Sequence, residues 1–240
     1  MSMTKSRCQC LSSCQNEPLK GEAFCKKHLH FCPRRAPTNG YEPPYEPELW
    51  NHPILVKAYN CFAFAFNIRD KAQEEKCKSY ESCKVAFHQP GSIAGYPPIN
   101  EKKTKTCPNI IARMMGDNKI LPSAFELKCP AHMSKIGLMI DPNQDYHFVR
   151  QNPPSGRAKI GYFSGKSGEM PVTDLDAQGH KIFDVELANF DYRKTSDSLR
   201  YTEFCGYFCV SRKKVYAAIG GRTTRRKPSS LKRRSRKTSS

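Results

Sequence analysis

No stretch of this 240-residue chain approaches the run of roughly 18 to 20 apolar residues that a membrane span requires. The first thirty residues are polar and cysteine-rich and lack the apolar centre of a signal peptide, so the chain reads as soluble and not secreted by the usual route. No internal repeat is visible. Acidic residues are missing from the last nineteen positions, where nine basic residues stand, and are scarce in residues 1–36, with two acidic against seven basic. The intervening body holds 24 basic and 20 acidic residues, so the net charge of +18 belongs mostly to the two ends. The length fits one sizeable core with a small appendage, or two small domains. A composition of 38% hydrophobic and 26% charged residues is lean but compatible with a globular body.

Cysteine, by contrast, is plentiful: twelve in all, five of them within residues 8–32. In a short secreted chain that number signals a disulfide scaffold. Without a signal peptide, the crowding favours reduced thiols and a metal site. Four segments separate by composition. Residues 1–36 form a Cys/His-dense unit too poor in apolar residues to hold a core without a metal or disulfide. Residues 37–54, with TNGYEPPYEPELWNHP, are expected to run extended as a strap over the next domain. The main body spans 55–221, and residues 222–240 are low-complexity, basic and expected to be disordered when alone.

Within the body, CFAFAFNIRDKAQEE from Cys61 onward has small residues, aromatics and then charges without Gly or Pro, and predicts a helix with a buried start and an exposed end. A second helix is predicted at Asn109–Met115. Strands are predicted at Lys135–Ile140, Tyr146–Gln151, Ile160–Ser164 and Glu203–Val210, with another at Lys214–Ile219. Helix first and then a run of strands argues for α+β with an antiparallel sheet.

A cysteine in the first turn of a helix sits where unpaired N–H groups and the helix dipole favour thiolate, and Cys61 is placed that way. A nucleophilic thiol also needs a base, and His147 in DYHFVRQ is on a strand as such a base should be. If the following hairpin turns within PPSGR, position 147 lies opposite about 164, bringing Ser164 beside His147 as an orienting group, with a slip of one or two residues possible. The plainer alternatives are a small core cysteine and a satisfied strand histidine.

The segments YNCFAFAFN, QPGSIAGYPP, CPNIIARMMGDN, DPNQDYHFVRQ, PVTDLDAQG and YTEFCGYFCV resemble, in that order, those of a family from large double-stranded DNA viruses, giant viruses among them, and some bacteria. That family carries NCYAYA, YHFYRQ, WSHKPG and FCGYFC, and its layout resembles papain-like NlpC/P60 cysteine hydrolases. The resemblance covers roughly residues 41–210. It implies a papain-like α+β domain cleaving a peptide or amide bond, with Cys61 as nucleophile and His147 as base. The third position departs: where the family has histidine in WSHKPG, this chain has FSGKSG, so Gly165 stands there and cannot orient an imidazole. Ser164 or Asp176 is the candidate substitute. The backbone N–H of Cys61, helped by the Asn60 side chain, is the simplest oxyanion hole. A Walker loop is excluded at FSGKSG, because Gly161 is one residue too late for the pattern and Pro171 follows where a helix should continue.

Two short pairs, Cys10-x3-Cys14 and Cys25-x2-His28, with Gly21 in the turn between them, match the pairing by which tetrahedral zinc is held. The unit also resembles Cys3His segments in proteins of the same viruses. Cys8, His30 and Cys32 are further candidates that would shift the ligand set, and disulfides or surface thiols are the alternative. Cys77/Cys83 and Cys205/Cys209 have no matching histidine, and Phe204, Tyr207 and Phe208 point to core packing for the latter pair.

Arg222, Arg225, Arg226, Lys227, Lys232, Arg233, Arg234, Arg236 and Lys237 form a polycation suited to DNA, RNA or another polyanion through counterion release, the plainer reading being a solubilising tail. The sequence thus carries two expectations. One is a thiol hydrolase, peptidase or amidase, with a structural zinc and no membrane partner, in host cytoplasm, nucleus or virion. The other is a catalytically degenerate virion or nucleic-acid-associated protein that binds through its ends.

Overall fold

The computed structural model describes residues 6–79, 83, 88–101, 104–142, 144–154, 161–193 and 199–213, and in it the alternating segments assemble into one six-stranded antiparallel sheet. The strands are β1 (Ile120–Ser123), β2 (Met133–Asp141), β3 (Asp145–Gln151), β4 (Phe163–Lys166), β5 (Val172–Thr173) and β6 (Glu203–Ser211), in the spatial order β1-β6-β2-β3-β4-β5. Among the described residues four helices accompany them: α1 (Pro47–Trp50), a single turn started by its proline that interrupts the segment expected to run extended, α2 (Cys61–Phe66), α3 (Lys71–Ser79) and α4 (Cys107–Asp117). The α+β class is therefore as expected, and α4 falls on the predicted second helix. No helix among the described residues is long and apolar enough to cross a membrane. The predicted strand at Lys214–Ile219 and the basic residues from Arg222 onward lie outside the described residues.

Every residue of β2 is buried, because both faces of the sheet are covered. Ile136, Leu138, Ile140, Tyr146, Phe148, Phe208 and Val210 pack on one face against α2 and α4. Met139, Val149, Phe163 and Tyr207 pack on the other against Ile182, Phe183 and Val185, and against Phe24, Cys25 and Ala23 from the amino-terminal unit. The period of two assigns each strand side chain to one layer or the other. The amino-terminal unit is thereby joined to the body's own core. Gln9 accepts from the backbone N–H groups of Phe183 and Asp184, and Arg34 pairs with the buried Asp184 at 2.6 Å.

The long helix predicted from Cys61 is broken in two. Asn67 adopts a left-handed conformation (φ 56°) and caps α2 after six residues, its N–H reaching the carbonyls of Ala63 and Phe64. All six residues of α2 are buried, as an all-round apolar helix must be. Its carboxyl end is gripped by cations: Arg150 donates to the Phe64 carbonyl at 2.7 Å and Arg212 to the Ala65 carbonyl at 2.9 Å. Arg150 also donates to the Pro44 carbonyl at 2.8 Å, tying the Pro-rich segment to α2, while Asn51 accepts from Val172 N–H at 2.7 Å and ties it to β5. These contacts fix where the other end of α2, carrying Cys61, meets the sheet.

The expected reduced thiols give way to four disulfides: Cys10–Cys32, Cys77–Cys83, Cys107–Cys205 and Cys129–Cys209. Cys205 and Cys209 do not simply pack as core residues. They lie on β6, and each reaches a cysteine from a sequence-distant segment that the sheet brings alongside. Those partners lie 98 and 80 residues away, beyond what local spacing can reveal.

Candidate functional site

Beyond the end of β4, where β3 runs on without a partner on that side, the amino end of α2 meets β3 at a cleft of about 210 Å³. Cys61, His147, Asn60, Asp145, Tyr201 and Lys105 all line it, with Gln89, Ile99 and Gly168 completing the wall. One side of that wall is a loop drawn tight by Asp117, whose carboxylate accepts from the N–H groups of Gly91, Ile93 and Ala94. Gln89 accepts from Ile99 N–H across the same loop. Structure thus brings the two principal residues of the sequence reading to one cavity.

They enter it from different directions. Tyr146 and Phe148 face α2, so the period of two turns His147 toward the opposite layer, where its ring packs 5.2 Å from Tyr201 and 6.2 Å from Phe190. The Cys61 thiol comes edge-on to β3 and donates to the Tyr146 carbonyl at 3.8 Å. Among the described residues no hydrogen bond joins Cys61 to His147. Both are nearly sealed, with 5% and 2% of their surfaces exposed. Burial pushes the thiol up to about 12, with the charge of Asp145 adding to it. Burial pushes the imidazole down to about 4, against the pull of Asp145. The expected thiolate is therefore corrected to a neutral thiol beside a neutral imidazole. The physical reason is that a six-residue helix buried on all sides offers less to an anion than desolvation takes away.

Asn60 caps α2 through Oδ1, which accepts from Ala63 N–H at 3.0 Å, and its Nδ2 donates to the His88 carbonyl at 2.8 Å. It lines the cleft, but its amide is occupied with holding the helix start. Ser164 does not reach His147. The register pairs Val149 with Gly165 and Arg150 with Ser164, so Ser164 falls on the other face and donates to Asn152 Oδ1 at 2.9 Å. That register is three residues off the expected one, and an odd slip reverses the face. Asp176 does not reach His147 either. It accepts from the N–H groups of Gln178, His180 and Asn189 and shapes a loop away from the cleft.

Gly165, in contrast, lies against the imidazole: a Cβ there would come within 2.7 Å of His147 Nε2 and 2.9 Å of Val149 Cγ1. The position is adjacent to the imidazole, and its lack of a side chain is what gives the ring room. Sequence reasoning missed Asp145, Tyr201 and Lys105. The Tyr201 hydroxyl donates to Asp145 at 3.1 Å, and Lys105 pairs with the same carboxylate at 3.1 Å. Asp145 was readable, since it stands two residues before His147 on one strand and so on the same side. Tyr201 and Lys105 carried no such signal.

A second constellation sits in the amino-terminal unit. Sγ of Cys8, Cys14 and Cys25 and a ring nitrogen of His28 all lie within 4.8 Å of one another and could hold a metal ion. Cys10 is not among them, because its sulfur is bonded to Cys32; Cys8 takes its place. The Cys25 N–H donates to Cys8 Sγ at 3.3 Å, turning Cys8 inward while Cys10 faces Cys32. Contacts within the group are 3.3 Å for Cys8 to His28 Nδ1, 3.6 Å for Cys25 to His28 Nδ1 and 3.9 Å for Cys14 to Cys25. A tetrahedral ion bound at ordinary metal–sulfur and metal–nitrogen lengths sets such edges at about 3.5 to 3.8 Å, so the four side chains fit one.

No family model matches the chain, and no solved structure matches it. The chain is similar to "Insoluble matrix shell protein 1" of Ruditapes philippinarum, with 24% identity over 168 residues, which is 69% of this chain and 88% of that protein.

Proposed function

We propose that this chain is a thiol hydrolase of papain-like, NlpC/P60-like architecture that opens a peptide or amide bond at the cleft between α2 and β3. One observation carries the reading. Eight of the twelve cysteines are in disulfides, three more belong to the Cys/His cluster, and the remaining sulfur, Cys61, lines a cleft together with a histidine. His147, neutral at working pH, takes the thiol proton as the sulfur attacks the carbonyl carbon. The resulting imidazolium returns that proton to the leaving amine, and water then releases the acyl group from sulfur. The amino end of α2 faces the developing oxyanion. Because thiol and imidazole are both neutral at rest, proton transfer belongs to the bound complex, and turnover is slow for the class. Asp145, close to His147, favours the imidazolium as it forms.

In this reading the Cys8, Cys14, Cys25 and His28 group holds zinc as a structural ion, since three thiolates and an imidazole in a closed four-ligand set are what zinc takes. It fastens the amino-terminal unit to the sheet and takes no part in the reaction.

The test is labelling of the oxidised full-length protein with a peptide-based thiol electrophile. Modification is expected at Cys61 and at least about tenfold slower in His147→Ala. A rate that His147→Ala leaves unchanged would overturn the proposal.

A second reading has its own support. The relative is named as an insoluble matrix protein of shell, the four disulfides suit an oxidising compartment, and Gly165 stands where the resembling family has histidine. In that reading the protein is a cross-linked structural component whose basic tail binds polyanions. Cys61→Ala then leaves its behaviour unaltered, whereas deleting residues 222–240 abolishes salt-sensitive retention on a polyanion.

A further inference from the structure

We infer that Tyr201, tied to Asp145, is the positioning residue that holds the His147 imidazole where Gly165 supplies no side chain to do so. The inference rests on the reading of Cys61 and His147 as a working pair. Its basis is geometric. The Tyr201 ring lies 5.2 Å from the imidazole and is tilted by 32° to it, a ring contact close enough to restrain rotation of the imidazole. The phenol is itself pinned: its hydroxyl donates to Asp145 Oδ2 at 3.1 Å, while Asp145 Oδ1 accepts from Lys105 at 3.1 Å. Tyr201 N–H donates to the Phe190 carbonyl at 3.2 Å, and the preceding Arg200 N–H donates to Asp141 at 2.7 Å, so the backbone carrying the ring is fixed at both residues. Burial, with Asp145 adding, keeps the phenol protonated and therefore always a donor.

The Phe190 ring stands 6.2 Å from the imidazole, and Nε2 of the imidazole lies against Gly165. A histidine at that position would orient the base through a hydrogen bond. Here an aromatic face limits the rotamers, and a carboxylate two residues before the base supplies the charge. The two duties of a third catalytic residue, orientation and stabilisation of the imidazolium, are divided between Tyr201 and Asp145. The charged and titratable groups that share the cleft with His147 are Asp145 from its own strand, Lys105 from the segment before α4, Cys61 from α2, and Tyr146 and Tyr201.

The experiment follows the His147 ring by NMR and the labelling of Cys61 by the peptide electrophile in Tyr201→Phe, Tyr201→Leu and Asp145→Asn. Tyr201→Phe keeps the ring contact and is expected to lose no more than about threefold in labelling, and Tyr201→Leu about tenfold or more with a displaced ring resonance. Asp145→Asn lowers the imidazole pKa further. An unchanged ring resonance and unchanged labelling in Tyr201→Leu overturn the inference. If Tyr201→Leu fails to fold, a His147 titration that is the same in Asp145→Asn, Tyr201→Phe and the parent overturns it equally. Absence of His147-dependent labelling in the parent overturns the hydrolase reading alone, since the ring resonance in Tyr201→Leu still decides whether Tyr201 holds the imidazole.

Discussion

The amino-terminal unit and the cleft between α2 and β3 both bring cysteine and histidine together, yet the same side chains are set in opposite surroundings. In the first, three sulfurs and a ring nitrogen converge, and the Cys25 N–H and the Asn16 side-chain amide point at sulfur. In the second, one thiol and one imidazole, both nearly sealed, line a cleft shared with Asp145, Lys105 and Tyr201, and the thiol's hydrogen bond goes to a carbonyl. Donors and neighbours draw Cys25 down although burial still pushes Cys8 up to about 11, so a cation is what would hold all three sulfurs as thiolates; Cys61, buried without such neighbours, stays protonated. Residue type does not decide whether a cysteine joins a cluster of possible metal ligands or stands alone beside a cleft. The number and placement of its partners do.

The comparison breaks most decisively at the metal group. Cys25→Ser or Cys8→Ser is expected to abolish metal binding, read by native mass spectrometry, with loss of on the order of 10 kcal/mol of metal-linked stability. Cys10→Ser should keep the metal, because that sulfur belongs to a disulfide. Metal loss in Cys10→Ser with retention in Cys8→Ser would reverse the ligand assignment.

A middle-sized effect concerns pH. The imidazole of His147 stays neutral in the fold down to about 4, whereas in the unfolded chain it binds a proton below about 6.5. Stability contributed above pH 6.5 is therefore lost as pH falls from about 6.5 to about 4, by on the order of 3 kcal/mol, and does not change further below that. Urea unfolding of the parent and of His147→Gln across this window isolates the contribution, since protonation of the metal group affects both proteins alike. Parallel curves would show that the histidine is not buried as described.

The smallest effect sharpens the role of Gly165. Gly165→Ala places a methyl group against Nε2 and Val149 and is expected to cost about 1 to 3 kcal/mol by thermal unfolding. It should also slow Cys61 labelling by displacing the base. Normal stability with slowed labelling would sharpen the case that this position serves the base, while no change in either would remove Gly165 from the site.

Strands β2, β3 and β6 and helix α4 were legible because their apolar residues recur with a clear period. Strand β1 was not, since ILPS is four residues long, contains proline and pairs at the sheet edge. Strand β4 runs from Phe163 to Lys166, and it is the pairing of Arg150 with Ser164, three residues from the register expected of a turn within PPSGR, that takes Ser164 off the cleft. The break after Phe66 was hidden because Asn67 reads as an ordinary helix residue until its left-handed backbone is seen.

By itself the sequence determined the α+β class, singled out Cys61 and His147, which the fold brings to one cleft, and named three of the four residues of the Cys/His group. Each of these follows from local pattern: periodicity, a cysteine at a helix start, a Cys-x2-His turn. Tertiary structure alone decided which sulfur completes the Cys/His group, which eight cysteines are oxidised, and that Tyr201 and Lys105 join Asp145 at the cleft. Those outcomes depend on which distant segments the sheet lays side by side and on how much water is left there, and neither quantity is carried by nearest-neighbour spacing.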